Sequence, residues 1–507
     1  MKHLLFAFIA ARCTALSIPA TKPDAALTIP PNFVGFAIES AFVNNNDNDF
    51  VGNLINSIAA RMSRSPVIRV GGTGGDKFKF DPAQTKDKVC EQGPCNSSNA
   101  NFTLGPSFFK SYQRFKSAEV TIQAPLDNPI NITNTVSFVW HAWNNLGRGR
   151  RVAAIAIGNE VEFIYDTAGS YTKAALELQA SIVKNLSLSG DAARIFEIGN
   201  TASGSVRNNR NYHVDDILKA GINENDLIST TAEHWYQILP QDGDSFTDAT
   251  MQDLMLNHTA ITERFKRHTP GLRESHKRGI PFAINECAAV LGGGPITFSG
   301  GFGYALWSVD FNLAAMARGV SRVNNMVGQP SAKRVFWNPD STGGEKSPGP
   351  QVRAPFPAAM FVADFISNSS SSAVAEIETG TDLTSAYAMY DAEGGKLRRV
   401  ALVNLRLYNG TRTESRKAET FTLPLPDAVK KIRVRRLHAD RGVAAMGFDF
   451  GGPKNNVSWA GEQWSHSIDA GNGHFLNGKI DETLLQVANG RISIDVPDSE
   501  AAMLLIE

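Results

Sequence analysis

The stretch Val152-Ala153-Ala154-Ile155-Ala156-Ile157-Gly158-Asn159-Glu160 decides how this chain is read. An apolar run with no polar alternation suits a strand buried on both faces, as in a parallel sheet. The run stops at a glycine, and an Asn-Glu pair follows at once. The same arrangement recurs at Pro281-Phe282-Ala283-Ile284-Asn285-Glu286. Outward from these two stretches, similar short runs stand at Phe33–Ile38, Val67–Val70, Val120–Ala124, Ile195–Ile198, Ile228–Ala232 and Val320–Val323. Helical patterns such as Tyr171–Leu186 and Gly303–Arg318 lie between several of them. Alternation of this kind predicts an α/β fold. Eight runs over this length fit a (β/α)8 TIM barrel. An open doubly wound sheet is the rival arrangement; the barrel is preferred because polar residues of catalytic type follow so many different runs.

After Pro339 the pattern changes. Gly343, Gly344, Pro348, Gly349 and Pro350 read as a loop, Arg353–Ile366 as a last helix, and Ser367–Ser372 as a serine-rich connection. Short strands follow at Leu383–Met389, Leu397–Asn404, Ile432–Leu437, Ile492–Val496 and Ala502–Ile506, with turn residues such as Gly394-Gly395 and Gly451-Gly452 between them. This pattern predicts a C-terminal β-sandwich. The expected division is therefore a leader over residues 1–20, a barrel over 21–366 and the sandwich over 367–507.

Bulk properties narrow the function classes. The chain has 507 residues, 50 Lys plus Arg against 50 Asp plus Glu, and a formal net charge of +0. Phosphate-backbone binding needs clustered basic residues, so nucleic acid is set aside. Lys2 and His3 precede the apolar run Leu4–Ala11, and small residues at Ala15, Ser17 and Ala20 offer cleavage positions, as in a secretory leader. That run is too short to span a bilayer, and no later stretch reads as a membrane helix. A secreted, extracellular protein is expected. Cys90 and Cys95 bracket a turn-like stretch suited to a small-loop disulfide, Cys13 leaves with the leader, and Cys287 stays a buried thiol. Sequons at Asn96, Asn101, Asn131, Asn185, Asn257, Asn368, Asn409 and Asn456 add the expectation of a glycosylated eukaryotic protein.

In a barrel, function collects where strands end at the C-terminal face. Asn159-Glu160 and Asn285-Glu286 end the fourth and seventh runs, placed to face each other across the barrel mouth. A pair of carboxyls so placed suits glycoside hydrolysis, one donating a proton to the leaving oxygen and the other attacking the anomeric carbon. One Asn-Glu after a strand is usually a helix cap with a first-turn acid; two, on the fourth and seventh strands, favour function. Asn159 is expected to bind the sugar hydroxyl next to the anomeric carbon, and Tyr236 to hold the nucleophile. Trp140, Trp143, Trp235 and Trp307 are expected sugar platforms. Glu39 and Asp76 are candidate hydroxyl acceptors, with cap and loop roles as the bland alternative. Gly71–Gly75 lacks the residues of a phosphate loop and the spacing of a dinucleotide fingerprint, and reads as a turn that brings Asp76 to the rim. Gly292–Gly294, centred on Gly293, offers backbone N–H groups to an anionic substrate group, or is simply a flexible turn. His141, His213 and His258 are expected to be structural. No spacing resembles a metal site, so neither metal nor cofactor is expected.

These residues resemble glycoside hydrolase family 79, the β-glucuronidase and heparanase group. The resemblance runs through Gly35-Phe36-Ala37-Ile38-Glu39, Ile68-Arg69-Val70-Gly71-Gly72 to Asp76, Leu104-Gly105-Pro106-Ser107-Phe108-Phe109, Ile157-Gly158-Asn159-Glu160, Asn285-Glu286 and Ala305-Leu306-Trp307-Ser308-Val309-Asp310. It implies retention of configuration, Glu160 as acid/base, Glu286 as nucleophile, Glu39 and Asp76 as sugar-binding residues, and a uronic acid or its methyl ether in the first subsite. The chain departs from the family pattern in having Thr73-Gly74-Gly75 before Asp76, Val161 after Glu160, and no tyrosine between Gly328 and Pro339. A tyrosine there would bind the sugar carboxylate; Lys333 or Arg334 is the candidate replacement. The substrate expected is an oligo- or polysaccharide glycoside. The competing readings are a retaining β-glycosidase for a neutral sugar and a non-hydrolytic carbohydrate-binding protein on the same fold.

Overall fold

The computed structural model describes residues 12–91, 93, 95, 101–202, 212–239, 245–329, 334–339, 349–366, 371–413 and 415–506. Residues 1–11 of the expected leader, Lys333, residues 340–348 with Gly343, Gly344 and Pro348 of the expected loop, and the sequon asparagines Asn96 and Asn368 lie outside these residues.

Eight parallel strands close into a barrel in chain order: β1 (Val34–Glu39), β2 (Val67–Gly71), β3 (Glu119–Ala124), β4 (Val152–Ile157), β5 (Phe196–Thr201), β6 (Ile228–Ile238), β7 (Phe282–Val290) and β8 (Arg322–Met326), which returns to β1. Each expected apolar run overlaps one of them. Helices such as Asp49–Ala59, Ile132–Asn145, Ala168–Leu186 and Phe302–Ala317 follow the strands around the outside. β6 and β7 run well past their apolar runs, so Glu233–Tyr236 and Asn285-Glu286 lie within strands and not after them. Mutual pairing of β6 with β7, from Thr231 opposite Phe282 to Ile238 opposite Val290, satisfies the backbone of these polar segments and carries both strands up to the barrel mouth.

The barrel interior holds a buried polar layer. Arg322 donates to Glu197 at 3.0 Å, and Asn285 donates to Glu197 and, at 3.1 Å, to Asn200. Asn324 donates to the side-chain oxygen of Asn285 at 3.0 Å. Buried polar groups hold only when they are paired, and here strands β5, β7 and β8 pair one another's. The layer fixes Asn285, the residue immediately before Glu286.

The C-terminal part is a two-sheet sandwich. One antiparallel sheet runs through β9 (Ser372–Ile377), β10 (Thr384–Asp391), β11 (Leu397–Asn404), β15 (Glu500–Ile506) and β13 (Lys431–His438), taken in spatial order. The facing sheet pairs β12 (Ala418–Pro424) with β14 (Arg491–Pro497). Alternate residues of the two sheets, among them Ala386, Ala388, Val400, Leu402, Phe421, Leu423, Ile494 and Val496, form its core. Five of these strands overlap the expected ones; β9 begins inside the serine-rich stretch, and β12 carries no pattern that was read as a strand. Two N-terminal segments join these sheets: Arg12–Ala15 runs parallel to β12, and Leu27–Ile29 pairs with β9. The sandwich therefore uses both ends of the described chain. Cys90 and Cys95 form the expected disulfide, and Cys287 is a buried thiol.

Helix Phe302–Ala317 lies between barrel and sandwich, which explains why it is buried on all sides. Its Asp310 faces His258 at 3.0 Å and accepts from Tyr387 of β10, while the other His258 nitrogen is 3.0 Å from Glu376 of β9. Arg318 closes the group with a 2.6 Å bond to Glu376. His258 is thus structural, as expected, and ties the two domains together.

Candidate active site

Side chains of a strand alternate, so on β6 His234 and Tyr236 point to one face while Glu233 and Trp235 point to the other. His234 and Tyr236 reach the barrel mouth; Glu233 bonds His268, and Trp235 packs against His268 and Phe311 on the outer side. β7 cannot alternate in the same way, because Asn285 and Glu286 both turn inward. Register shifts at this point against both β6 and β8 make that possible, as a bulge re-aims one side chain.

Glu286 is held by two donors. Arg69 of β2 donates to its Oε2 at 3.1 Å, and the Tyr236 hydroxyl donates to its Oε1. Burial pushes this carboxyl up, but the charges of His234, Arg69 and Arg334, together with the Tyr236 bond, outweigh it and hold Glu286 below the usual carboxylate range. Arg69 also donates to the side-chain oxygens of Asn159 and Gln123. One guanidinium thus links β2, β3, β7 and the end of β4.

Glu160 follows β4 in a left-handed conformation, φ 44° and ψ 51°, and its N–H donates to the Asn200 carbonyl at 2.8 Å. This backbone costs a non-glycine residue roughly 1–2 kcal/mol and is characteristic of functional turns. Its Oε1 is 3.2 Å from Nδ1 of His234. Glu160 and Glu286 therefore contact side chains two residues apart on one face of β6, about 7 Å along the strand. The Glu160 side chain is 22% exposed and that of Glu286 is 11% exposed, so the pair lines an accessible opening and not a sealed core.

Two further acids border the pair. Glu39, at the end of β1, accepts the Gly74 N–H at 2.9 Å. Burial and the neighbouring Glu286 charge raise it to about 8, partly opposed by that N–H and by Arg69 and Arg334. Gly72 makes the approach possible: at φ +92° it has no side chain where a Cβ would lie 2.0 Å from the Glu39 carboxylate. Asp76 accepts from Gln123 at 3.0 Å and from the backbone of Leu126 and Asn159; burial nonetheless lifts it well above the usual range. The Asn159 oxygen is taken by Arg69, which leaves its amide nitrogen for other partners. Arg334 stacks its guanidinium over the Tyr236 ring, 5.2 Å from the centroid.

The structure thus brings Glu39, Asp76, Asn159, Glu160, Tyr236 and Glu286 to one mouth. Gly293 behaves differently. Its N–H donates to Val290 at 3.2 Å and its carbonyl accepts from Ser299, so it closes a turn and its N–H is not free for an anionic ligand. The tryptophan platforms are also corrected. Trp235 and Trp307 are fully buried against Phe311, Trp307 stacked on its ring and Trp235 tilted, and Trp140 is exposed on an outer helix in a groove with Lys184 and Asn185. Sequence reasoning did not single out Arg69, Gln123, His234 or Glu162 as site residues. For Arg69 a signal existed: it is the lone charge within an apolar run. Glu162 gave none. It is buried behind Glu160, accepts the Ala202 N–H, and is raised to about 8 by burial and the Glu160 charge.

Comparison with known proteins fits this geometry. Residues 386–503 match the glycosyl hydrolase family 79 C-terminal beta domain. The resemblance to family 79 holds. A beta-glucuronidase from Aspergillus niger is 26% identical over 97% of this chain and 94% of its own length. One from Neurospora crassa is 26% identical over 87% and 85%, respectively. Among solved structures, a 4-O-α-L-rhamnosyl-β-D-glucuronidase from Fusarium oxysporum superposes with TM-score 0.80 at 19% identity, covering 97% of this chain and all 100% of that one. A GH51 arabinofuranosidase from Xanthomonas axonopodis pv. citri follows at TM-score 0.67 and 12% identity, covering 98% of this chain and 100% of its own. These likenesses show the fold: a TIM barrel carrying a C-terminal β-domain that matches family 79.

Proposed function

We propose that the protein is a retaining, exo-acting β-glucuronidase that releases glucuronic acid or its 4-O-methyl ether from glycans, and that it works outside the cell as a secreted glycoprotein. The observation that carries this reading is the pairing of Glu160 and Glu286 through β6: Glu160 contacts His234, and Glu286 accepts from Tyr236 and Arg69. Family 79 membership of the β-domain and the two beta-glucuronidase relatives support the substrate class.

In this mechanism Glu286, kept ionised by its donors, attacks the anomeric carbon while Glu160 gives its proton to the departing glycosidic oxygen. A covalent glycosyl-enzyme forms with inverted configuration. Glu160, now a carboxylate, takes a proton from water, the water attacks the anomeric carbon, and a second inversion restores the β-configuration. The free amide of Asn159 binds the hydroxyl beside the anomeric carbon, and Glu39 and Asp76 bind hydroxyls further round the ring. Arg69 and Tyr236 are preorganised donors that stabilise the nucleophile as it leaves at the end of the second step.

A product-resolved screen of aryl β-glycosides tests the proposal. It predicts hydrolysis of the β-glucuronide, with the β-anomer of the free sugar formed first. Hydrolysis of neutral β-glycosides with none of the uronide would reject the substrate, and binding without cleavage of any glycoside would reject the enzyme.

A further inference from the structure

Among the described residues, Arg334 is a cation with no salt bridge or hydrogen bond, in a site where Arg69, Glu160 and Asp76 are already bonded. Arg69 is bonded to Glu286, Asn159 and Gln123; Glu160 is paired with His234; Asp76 is held by Gln123. Glu39, raised to about 8, is an uncharged acid at neutral pH and does not supply the missing charge. Arg334 lies over the Tyr236 ring, a contact that orients a guanidinium without using its N–H donors. The residue is part-buried, so solvent reaches it. The charges of Glu286 and Glu160 act on it, which places it beside the reacting carboxyls.

Its N–H donors remain unused, and a planar five-donor guanidinium matches a carboxylate in two-point geometry. We infer that Arg334 is the specificity-determining residue of the site and that it binds the carboxylate of the substrate sugar. The inference rests on the β-glucuronidase reading and deepens it by naming the group that separates a uronide from the corresponding neutral glycoside. Tyr236 serves both ends of the arrangement: its hydroxyl holds the nucleophile and its ring face carries the arginine, so the carboxylate clamp and the attacking carboxylate are positioned by one side chain.

The test compares an aryl β-glucuronide, its methyl ester and the matching aryl β-glucoside as substrates for the full-length protein and for Arg334→Gln and Arg334→Lys. Loss of one charge-assisted contact predicts that Arg334→Gln lowers the ratio of kcat/KM for glucuronide over methyl ester by about 10- to 100-fold, mostly through KM, and that Arg334→Lys recovers part of it. Inhibition by free D-glucuronate, read in the same variants, weakens in parallel. A ratio that stays the same in Arg334→Gln, or an equal fall on all three substrates, overturns the inference: the second result would assign Arg334 to Glu286 alone. If the unsubstituted protein prefers the glucuronide and the variant keeps that preference, only this inference falls. If the unsubstituted protein cleaves the glucoside and not the glucuronide, the reading beneath it falls as well.

Discussion

Nη1 of Arg69 lies 3.1 Å from Oε2 of Glu286, and the arginine side chain is 1% exposed. Two strands on different sides of the barrel thus share one buried ion pair, and the nucleophile candidate depends on it for its charge. Removing one partner of such a pair leaves the other uncompensated. Arg69→Met is expected to raise the Glu286 pKa, so the acidic limb of the kcat/KM–pH profile moves to higher pH, and to cost about 100-fold or more in rate at neutral pH. A pH–rate series on the variant checks this; an unmoved acidic limb contradicts it.

Tyr236 supplies the second donor to the same carboxylate. Tyr236→Phe keeps the ring, and with it the platform under Arg334, but removes the bond. The expected outcome is a fall in kcat of about 10- to 100-fold with a rise in the acidic-limb pKa smaller than in Arg69→Met. Separate determination of kcat and KM is the measurement; a change confined to KM would argue against the bond to Glu286.

Glu39 is raised to about 8, so it is protonated through the acidic and neutral range and ionises as the pH climbs past 8. That ionisation sets a second negative charge beside Glu286 and against an anionic substrate. A basic limb near this pH is expected in the unsubstituted protein and absent from Glu39→Gln, which stays uncharged. Glu39→Ala, with no group left to bond, is expected to lose activity at every pH. Persistence of the basic limb in Glu39→Gln assigns it to another group.

The His258 group makes a stability prediction. Burial alone would lower His258, but Asp310 and Glu376 raise it from 6.5 to about 10. A raised folded-state value means the contribution is complete below the unfolded value of 6.5 and fades as the pH rises through 10. From the other end, burial opposes ionisation of Glu376, but His258 and Arg318 lower it from 4.5 to about 2, so its contribution is complete above 4.5 and is lost as the pH falls through 2. His258→Ala is expected to lower unfolding stability by about 2 kcal/mol at pH values below 6.5 and by much less near pH 10. Urea midpoints at the two pH values decide it; an equal loss at both would point to packing instead of charge.

The eight strands were legible because parallel barrel strands are covered on both faces and read as unbroken apolar runs. The Asn-Glu pairs were legible because they follow such runs. What the pattern hid were the places where tertiary pairing overrides it: β6 and β7 continue through Glu233–Ile238 and Asn285–Val290 because each strand satisfies the other's backbone. Arg69 passed as a motif letter, since nothing local tells which carboxylate across the barrel it meets. Trp235 and Trp307 look like sugar platforms in sequence, yet both fill the packing around Phe311. Gly293 looked available because composition reports flexibility and not which N–H is already bonded. Arg12–Ala15 carries no strand pattern of its own and pairs only because β12 offers an edge.

The central claim is that Glu286 is the nucleophile opposite Glu160. A 2-deoxy-2-fluoro-β-D-glucuronosyl fluoride inactivates a retaining enzyme by stalling at the glycosyl-enzyme, since the fluorine at C2 slows both displacements while the good fluoride leaving group keeps the first one fast enough to proceed. Mass analysis of proteolytic peptides after inactivation is the most direct measurement. The account predicts one label per chain, carried by Glu286 and absent from Glu286→Gln; a label on any other carboxylate, or turnover that releases the α-anomer first, would contradict it.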